Sequence, residues 1–143
     1  MRLWHYTCAH SIEGILADRG TLRPNPFAGR QLSMERAGYH GYAYPVVWVT
    51  DVDVACRDDA AKIGLQPKAG SPLTCDRVEW RFLVPNVGFV LWQEWADRHH
   101  DEWAPPEFRA LLEAADGADP KHWWVSPAPI AGARLDERYR SAR

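Results

Sequence analysis

Residues 3–25, LWHYTCAHSIEGILADRGTLRPN, constrain this chain more than any other stretch. An apolar-aromatic strand, expected over residues 2–7, opens with Leu3 and Trp4 and carries His5, Tyr6 and Thr7 directly into an amphipathic helix. Ile12, Ile15 and Leu16 fall at helical spacing, with Ser11 placed to cap the helix and Gly20 to stop it. Side chains alternate across a strand, so His5 and Thr7 share one face while Tyr6 points away. Polar groups at a sheet edge beside a helix N-terminus are well placed to hold a ribose and a phosphate. The stretch reads as a ligand-binding edge. The competing reading makes His5 a hydrogen-bonded core imidazole and Thr7 a strand former.

Further along, Leu22 begins a short extended piece, and Pro24 and Pro26 forbid a regular element after it. Residues 23–45, rich in Arg, Gly, Tyr and Pro, are expected to form a long irregular loop. Loops of that length inside a compact domain are more often functional than incidental. Pro45 to Thr50 is the clearest strand, β-branched and ended by Asp51. A short helix is expected from Val54 to Ile63, then a loop marked by Pro67, Gly70 and Pro72. Val78 to Val84 alternates as a strand, with Val78, Trp80, Phe82 and Val84 facing one way and Glu79, Arg81 and Leu83 the other. Val90–Asp97 and Pro106–Ala115 read as helices, the second entered through Pro105 and Pro106 and followed by Gly117. His122–Ser126 is a further strand, and Ile130–Tyr139 supplies a last edge strand. This order lacks a regular βαβ alternation, which disfavours a doubly wound parallel sheet and favours a mixed or antiparallel α+β domain.

A chain of 143 residues with 46% hydrophobic and 25% charged residues fits one globular domain with a real core, so residues 1–143 are read as a single unit. The net charge of −2 gives no global electrostatic argument for binding nucleic acid or an anionic membrane. Cys8, Cys56 and Cys75 are an odd number, widely spaced, and read as thiols in a reducing compartment rather than a disulfide frame or zinc site. With no leader-like opening and no apolar run of spanning length, the expected location is the cytoplasm, away from membranes. Eight tryptophans are many for this length. Trp92, Trp95 and Trp103 lie in polar sequence, where an indole lines a groove, meets a partner or simply fills the core.

Several constellations admit two readings. Trp48 and Thr50 share a face of their strand, either as a stacking platform with a hydroxyl or as a core plug. Arg23, Arg30 and Arg36, with Tyr39, His40, Tyr42 and Tyr44 behind them, form either a phosphate- and base-gripping loop or a solvated loop pinned by its tyrosines. His99, His100, Asp101 and Glu102 read better as a solvated helix end than as a metal site, because adjacent histidines rarely share one ion, and no metal is expected. The sequence contains no GxSxG, HExxH, P-loop or GxGxxG motif, against the commonest hydrolase, zinc-protease, kinase-like and Rossmann readings.

On these residues the chain resembles the ADP-ribosyltransferase superfamily, most of all its small bacterial and phage members that modify nucleic acids. The shared pattern is His-x-Thr on the first strand (His5 to Thr7), a helix with Ile15-Leu16 and terminal Gly20, and the exit Leu22 to Asn25. An arginine-containing loop, the aromatic strand Val46 to Thr50 and the turn Pro127 to Ile130 complete it. The resemblance implies a split, mixed or antiparallel β-sandwich with helices packed on it, gripping NAD as substrate in a cleft. It implies that His5 meets the adenine-side ribose with Tyr6 and Thr7 beside it, and that Arg30 or Arg36 meets the phosphates. It places Trp48, or Tyr42 or Tyr44 from the loop, against nicotinamide, with Thr50 on the same strand as Trp48.

The reaction so implied is cleavage of the nicotinamide–ribose bond through an oxocarbenium-like state, stabilised by a carboxylate. The family's glutamate begins the strand that here reads Lys121-His122-Trp123-Trp124-Val125-Ser126, which holds no acid. Asp119 lies just upstream, Glu79 and Glu94 are more distant candidates, and His122 is the titratable group on the strand itself. Catalytic candidates are therefore His5, Trp48, Glu79 and His122. The expected function is NAD-dependent ADP-ribosyl transfer to a macromolecule, nucleic acid or protein, of toxin or phage-defence type. The alternatives are a non-catalytic nucleotide- or partner-binding module on the same fold, or an NAD-dependent RNA 2′-phosphotransferase-like enzyme. Neither the acceptor nor the oligomeric state is encoded in any motif.

Overall fold

A computed structural model describes residues 1–24, 31–34, 39–42, 44–54, 57–64, 77–99 and 106–139. Their elements are β1 (Leu3–Thr7), α1 (Ala9–Ala17), β2 (Gln31–Met34), β3 (Tyr39–Tyr42), β4 (Val47–Thr50), α2 (Arg57–Lys62) and β5 (Trp80–Val84). There follow β6 (Val90–Leu91), α3 (Trp92–Arg98), α4 (Pro106–Glu113), a 3-10 turn at Pro120–His122, β7 (Trp123–Ser126) and β8 (Arg134–Leu135). Six strands form one open antiparallel sheet in the order β6-β7-β4-β1-β5-β8, and β2 pairs with β3 as a separate antiparallel ladder. The chain is an α+β domain, as its element order requires.

The first strand lies inside the sheet because both of its faces are apolar. Residues directly opposite in an antiparallel pair project from the same face, and Trp4 lies opposite Thr50. Trp4, Tyr6, Trp48 and Thr50 therefore point one way, and Leu3, His5 and Thr7 the other. On the second face Leu3 packs with Val47, Val49, Phe82 and Val84, covered by Ile12 and Ile15 of α1. On the first, Trp4 and Tyr6 pack with Val54, Ala60, Val78 and Tyr139, and a neighbouring cluster gathers Tyr44, Val46, Trp92, Trp95, Trp123 and Val125. Leu3, Phe82, Trp92 and Val125 have no exposed surface, and burying each large apolar side chain contributes about 1.5–3 kcal/mol.

Several local expectations change. Helix α1 starts at Ala9 with Cys8 as its N-cap residue and no side-chain cap bond, so Ser11 lies inside the helix instead of capping it. Within residues 23–45 the chain forms the β2–β3 hairpin instead of a wholly irregular loop. Val90 and Leu91 pair with Val125 and Trp124 before α3 begins at Trp92, because the open edge of β7 accepts two more residues of ladder. Val78 precedes β5 and is buried beside Trp4 and Tyr6, away from Phe82 and Val84, so the alternation does not extend back to it.

Gly20 ends the first helix in a left-handed conformation (φ +74°), where its N–H reaches the Ile15 carbonyl at 2.9 Å. A side chain there would place Cβ 2.1 Å from the Ala133 carbonyl oxygen. The segment after it is fixed to the C-terminal part of the chain: Leu22 and Ile130 exchange backbone hydrogen bonds of 2.8 and 2.9 Å, and Ala133 N–H donates to the Gly20 carbonyl at 3.0 Å. This closure holds residues 18–23 against the sheet, where they form one wall of a groove.

A candidate ligand groove at His5

Between β1 and β5 the register runs through five successive pairs, from Leu3↔Val84 to Thr7↔Trp80. Between β1 and β4 it is fixed at Trp4↔Thr50. Beyond that point a side chain joins the two strands: His5 Nδ1 donates to the Trp48 carbonyl at 2.9 Å. A carbonyl only accepts, so Nδ1 carries the proton. The His5 pKa lies below the ordinary imidazole value of 6.5, first because burial penalises the charged ring and further because Arg77 adds positive charge, against a raising effect of the Trp48 carbonyl. In the neutral ring Nε2 then holds a lone pair and acts as an acceptor.

A groove of about 560 Å³ opens at this position, lined by His5, Val46, Val47 and Trp48 on the sheet side. Gly14, Ile15 and Asp18 of and beyond α1, with Thr21, Leu22 and Arg23, form the facing wall. Its size falls in the range of small-molecule sites, and its lining is mostly apolar with a few polar groups. Arg23 Nε donates to Asp18 Oδ2 at 2.7 Å and Nη2 to Oδ1 at 3.2 Å. This pair lowers the Asp18 pKa and raises that of Arg23, in both cases chiefly through the side-chain hydrogen bond.

The fold separates the candidate residues. His5 and Trp48 both border the groove, though their side chains leave opposite faces of the sheet. Thr7 shares the His5 face and is buried. Tyr6 is a core fastener: its hydroxyl donates to the Val52 carbonyl and accepts from Val54 N–H, each at 2.9 Å. Thr50 is engaged within the fold, its hydroxyl donating to the His122 carbonyl at 2.8 Å and accepting from Val52 N–H at 3.1 Å. Tyr44 is buried with its ring edge-on to Trp48, Trp92 and Trp95, which gives it a packing role. Trp48 itself is half-buried and packs on Trp92 with ring centres 4.6 Å apart. Arg30 and Arg36 lie outside the described residues, as do Trp103 and the His100–Glu102 run. Tyr42 belongs to β3, and its side chain lies outside the description.

Glu79 precedes β5 and does not line the groove. His122 lies at the far end of β4, where its Nδ1 is 2.6 Å from Asp51 Oδ1 and its Nε2 is 3.5 Å from Asp119 Oδ2. Trp124 Nε1 donates to the second Asp51 oxygen at 3.3 Å. The cluster ties the end of β4 to the turn before β7, and the fold does not bring it to the His5 groove. Of the readings open for Trp92 and Trp95 (groove, partner contact or core), the structure selects the core, because α3 turns that side toward the sheet. His99 stacks on Trp95 with ring centres 4.5 Å apart, in keeping with a helix end. Among the described residues no group of three or more His, Cys, Asp or Glu is arranged to hold a metal ion, and no helix is long and apolar enough to cross a membrane.

Asp18, Thr21 and Arg77 carry no motif that marks them in the sequence, and Arg23 stands out there only as part of a basic loop patch. The available signal was the spacing of Asp18 and Arg23 on either side of Gly20, since a helix-ending turn folds such residues back together. Compared with known protein families, curated proteins and solved structures, the chain matches none.

Proposed function

We propose that the groove at His5 holds NAD as a substrate, and that the protein is an ADP-ribosyltransferase-like enzyme of toxin or phage-defence type acting on a macromolecular acceptor. In this reading the open sheet belongs to a split, mostly antiparallel β-sandwich. The observation that carries the proposal is His5 at the groove, its ring fixed by the Trp48 carbonyl through Nδ1–H, which leaves Nε2 free to accept in the neutral ring that burial favours. Its Nε2 acceptor suits a ribose hydroxyl, which donates, and the apolar floor of Val46 and Val47 suits a sugar face or heterocycle. The reaction breaks the C1′–N bond to nicotinamide; the electron pair leaves with nicotinamide, and an acceptor nucleophile bonds to C1′ and loses its proton. The positive charge developing on the ribose calls for a negative group nearby.

A second reading, a nucleotide-binding module without turnover, is favoured by a specific observation. Among the described residues the carboxylate lining the groove is Asp18, and it is already committed to Arg23. Loss of one preorganised electrostatic group slows catalysis on the order of 10²–10³-fold. Calorimetry with NAD, followed by nicotinamide release from the same sample, separates the two. The enzyme reading expects binding and release, with affinity at least about tenfold weaker and release abolished in His5→Ala. Binding without release, with a set of nucleic-acid and protein acceptors present, selects the module. Unaltered NAD affinity in His5→Ala would remove the residue on which both depend.

A further inference from the structure

The ion pair on the groove wall has a geometry that leaves it unfinished as a structural contact. A guanidinium carries five N–H donors. Asp18 occupies one edge of Arg23, taking Nε–H at 2.7 Å and one hydrogen of Nη2 at 3.2 Å. The opposite end, two hydrogens on Nη1 and one on Nη2, is the fork that matches two oxygens of a phosphate. Both partners stand on fixed backbone. Asp18 N–H donates to the Gly14 carbonyl at 3.1 Å, and Leu22, next to Arg23, is held on both sides by Ile130. An exposed ion pair contributes little to stability, and this one is exposed, at 62% for Arg23 and 41% for Asp18. The Asp18 carboxylate offsets the charge of Arg23, and Arg77 is close enough for its positive charge to act on His5.

We infer that Arg23 is the phosphate-recognition residue of the groove and that Asp18 is a positioning residue that presents it, so the ligand is a nucleoside phosphate and not a free nucleoside. The inference rests on the proposal that the groove binds a nucleotide, and it adds which residue reads the charged part. Thr21 also lines the groove.

The test is calorimetry with adenosine, ADP and NAD on the full chain as wild type, Arg23→Gln, Asp18→Asn and the double variant. Wild type is expected to bind ADP and NAD more tightly than adenosine. Arg23→Gln should weaken ADP and NAD by about tenfold to a hundredfold, the range for a charge-assisted contact, and leave adenosine unchanged. Asp18→Asn should weaken ADP several-fold in the wild-type background and have no further effect beside Arg23→Gln. That non-additivity is what a positioning role predicts. Thermal unfolding of each variant checks that the exposed pair can be altered without loss of the fold. Equal ADP affinity in wild type and Arg23→Gln overturns the inference while the nucleotide reading stands. Parallel loss of adenosine and ADP overturns it too, since Arg23 would then shape the groove instead of reading phosphate. If wild type binds none of the three, the nucleotide reading falls and takes this inference with it.

Discussion

His5 uses its two ring nitrogens for different purposes, and the division has a consequence that pH can reveal. Nδ1–H is spent on the Trp48 carbonyl, and burial, with the charge of Arg77, keeps the ring neutral below the ordinary imidazole value of 6.5. In the unfolded chain that value is restored. As pH falls through about 6.5 the unfolded chain therefore takes up a proton that the folded protein refuses, and stability declines until the folded ring also titrates. Urea midpoints between about pH 7.5 and 5.5 should fall further for wild type than for His5→Gln, whose amide retains a donor for Trp48. Equal falls would mean that the ring is not held neutral. The same protonation removes the Nε2 acceptor, so nucleotide affinity should weaken over the acid side of the same range. The sequence identified His5 through its place ahead of a helix, but not the partner that fixes its tautomer. That partner lies 43 positions away and is a backbone atom, which no residue pattern marks.

At the scale of elements, the wall of the groove depends on how α1 stops. Gly20 takes a φ of +74°, and a Cβ there would overlap the Ala133 oxygen at 2.1 Å. Gly20→Ala should therefore cost on the order of 3 kcal/mol, combining backbone strain with displacement of the C-terminal segment. At Gly14, inside the same helix, an added Cβ would meet nothing within 4 Å among the described residues, so Gly14→Ala should raise stability by about 0.5–1 kcal/mol. Chemical denaturation of the two variants checks both signs, and a small effect of Gly20→Ala would show that the closure with Ala133 is dispensable. Element identity was legible at several places with a strong local signal, although of the edge strand expected over Ile130–Tyr139 only Arg134–Leu135 joins the sheet, with Ile130 bridging Leu22. The strands at Leu3, Val47 and Trp123, the helix after Pro106 and the stop at Gly20 all follow from period, proline placement and glycine. The strand start at Val90–Leu91 was not legible, because two residues acquire strand character only by pairing with β7. The cap at Cys8 was hidden for a related reason: its backbone makes the turn without the side-chain oxygen that marks most caps.

Across the whole molecule, the groove is built from segments that meet only after folding, so a bound ligand stabilises the fold as a unit. If NAD binds the native chain and not the unfolded one, saturation to about 100 times Kd adds about 2.7 kcal/mol, which for a domain of this size raises Tm by on the order of 10 °C. Thermal unfolding with and without NAD tests this, and the shift should vanish in His5→Ala. By itself, the sequence determined that this is an α+β chain without βαβ alternation, that its first strand leads a histidine into a helix, and that its clearest strands are apolar. Those properties are local, set by side-chain period and backbone preference over a few residues. The tertiary structure alone decided that Trp92, Trp95 and Tyr44 are core and not contact surface, that Tyr6 and Thr50 fasten loops, and that His122 pairs with Asp51 away from the groove. It also decided that Asp18 and Arg23 stand opposite Val46 and Val47. Burial and polar pairing depend on which distant segments come together, and that is fixed by the sheet order and the closure at Ala133.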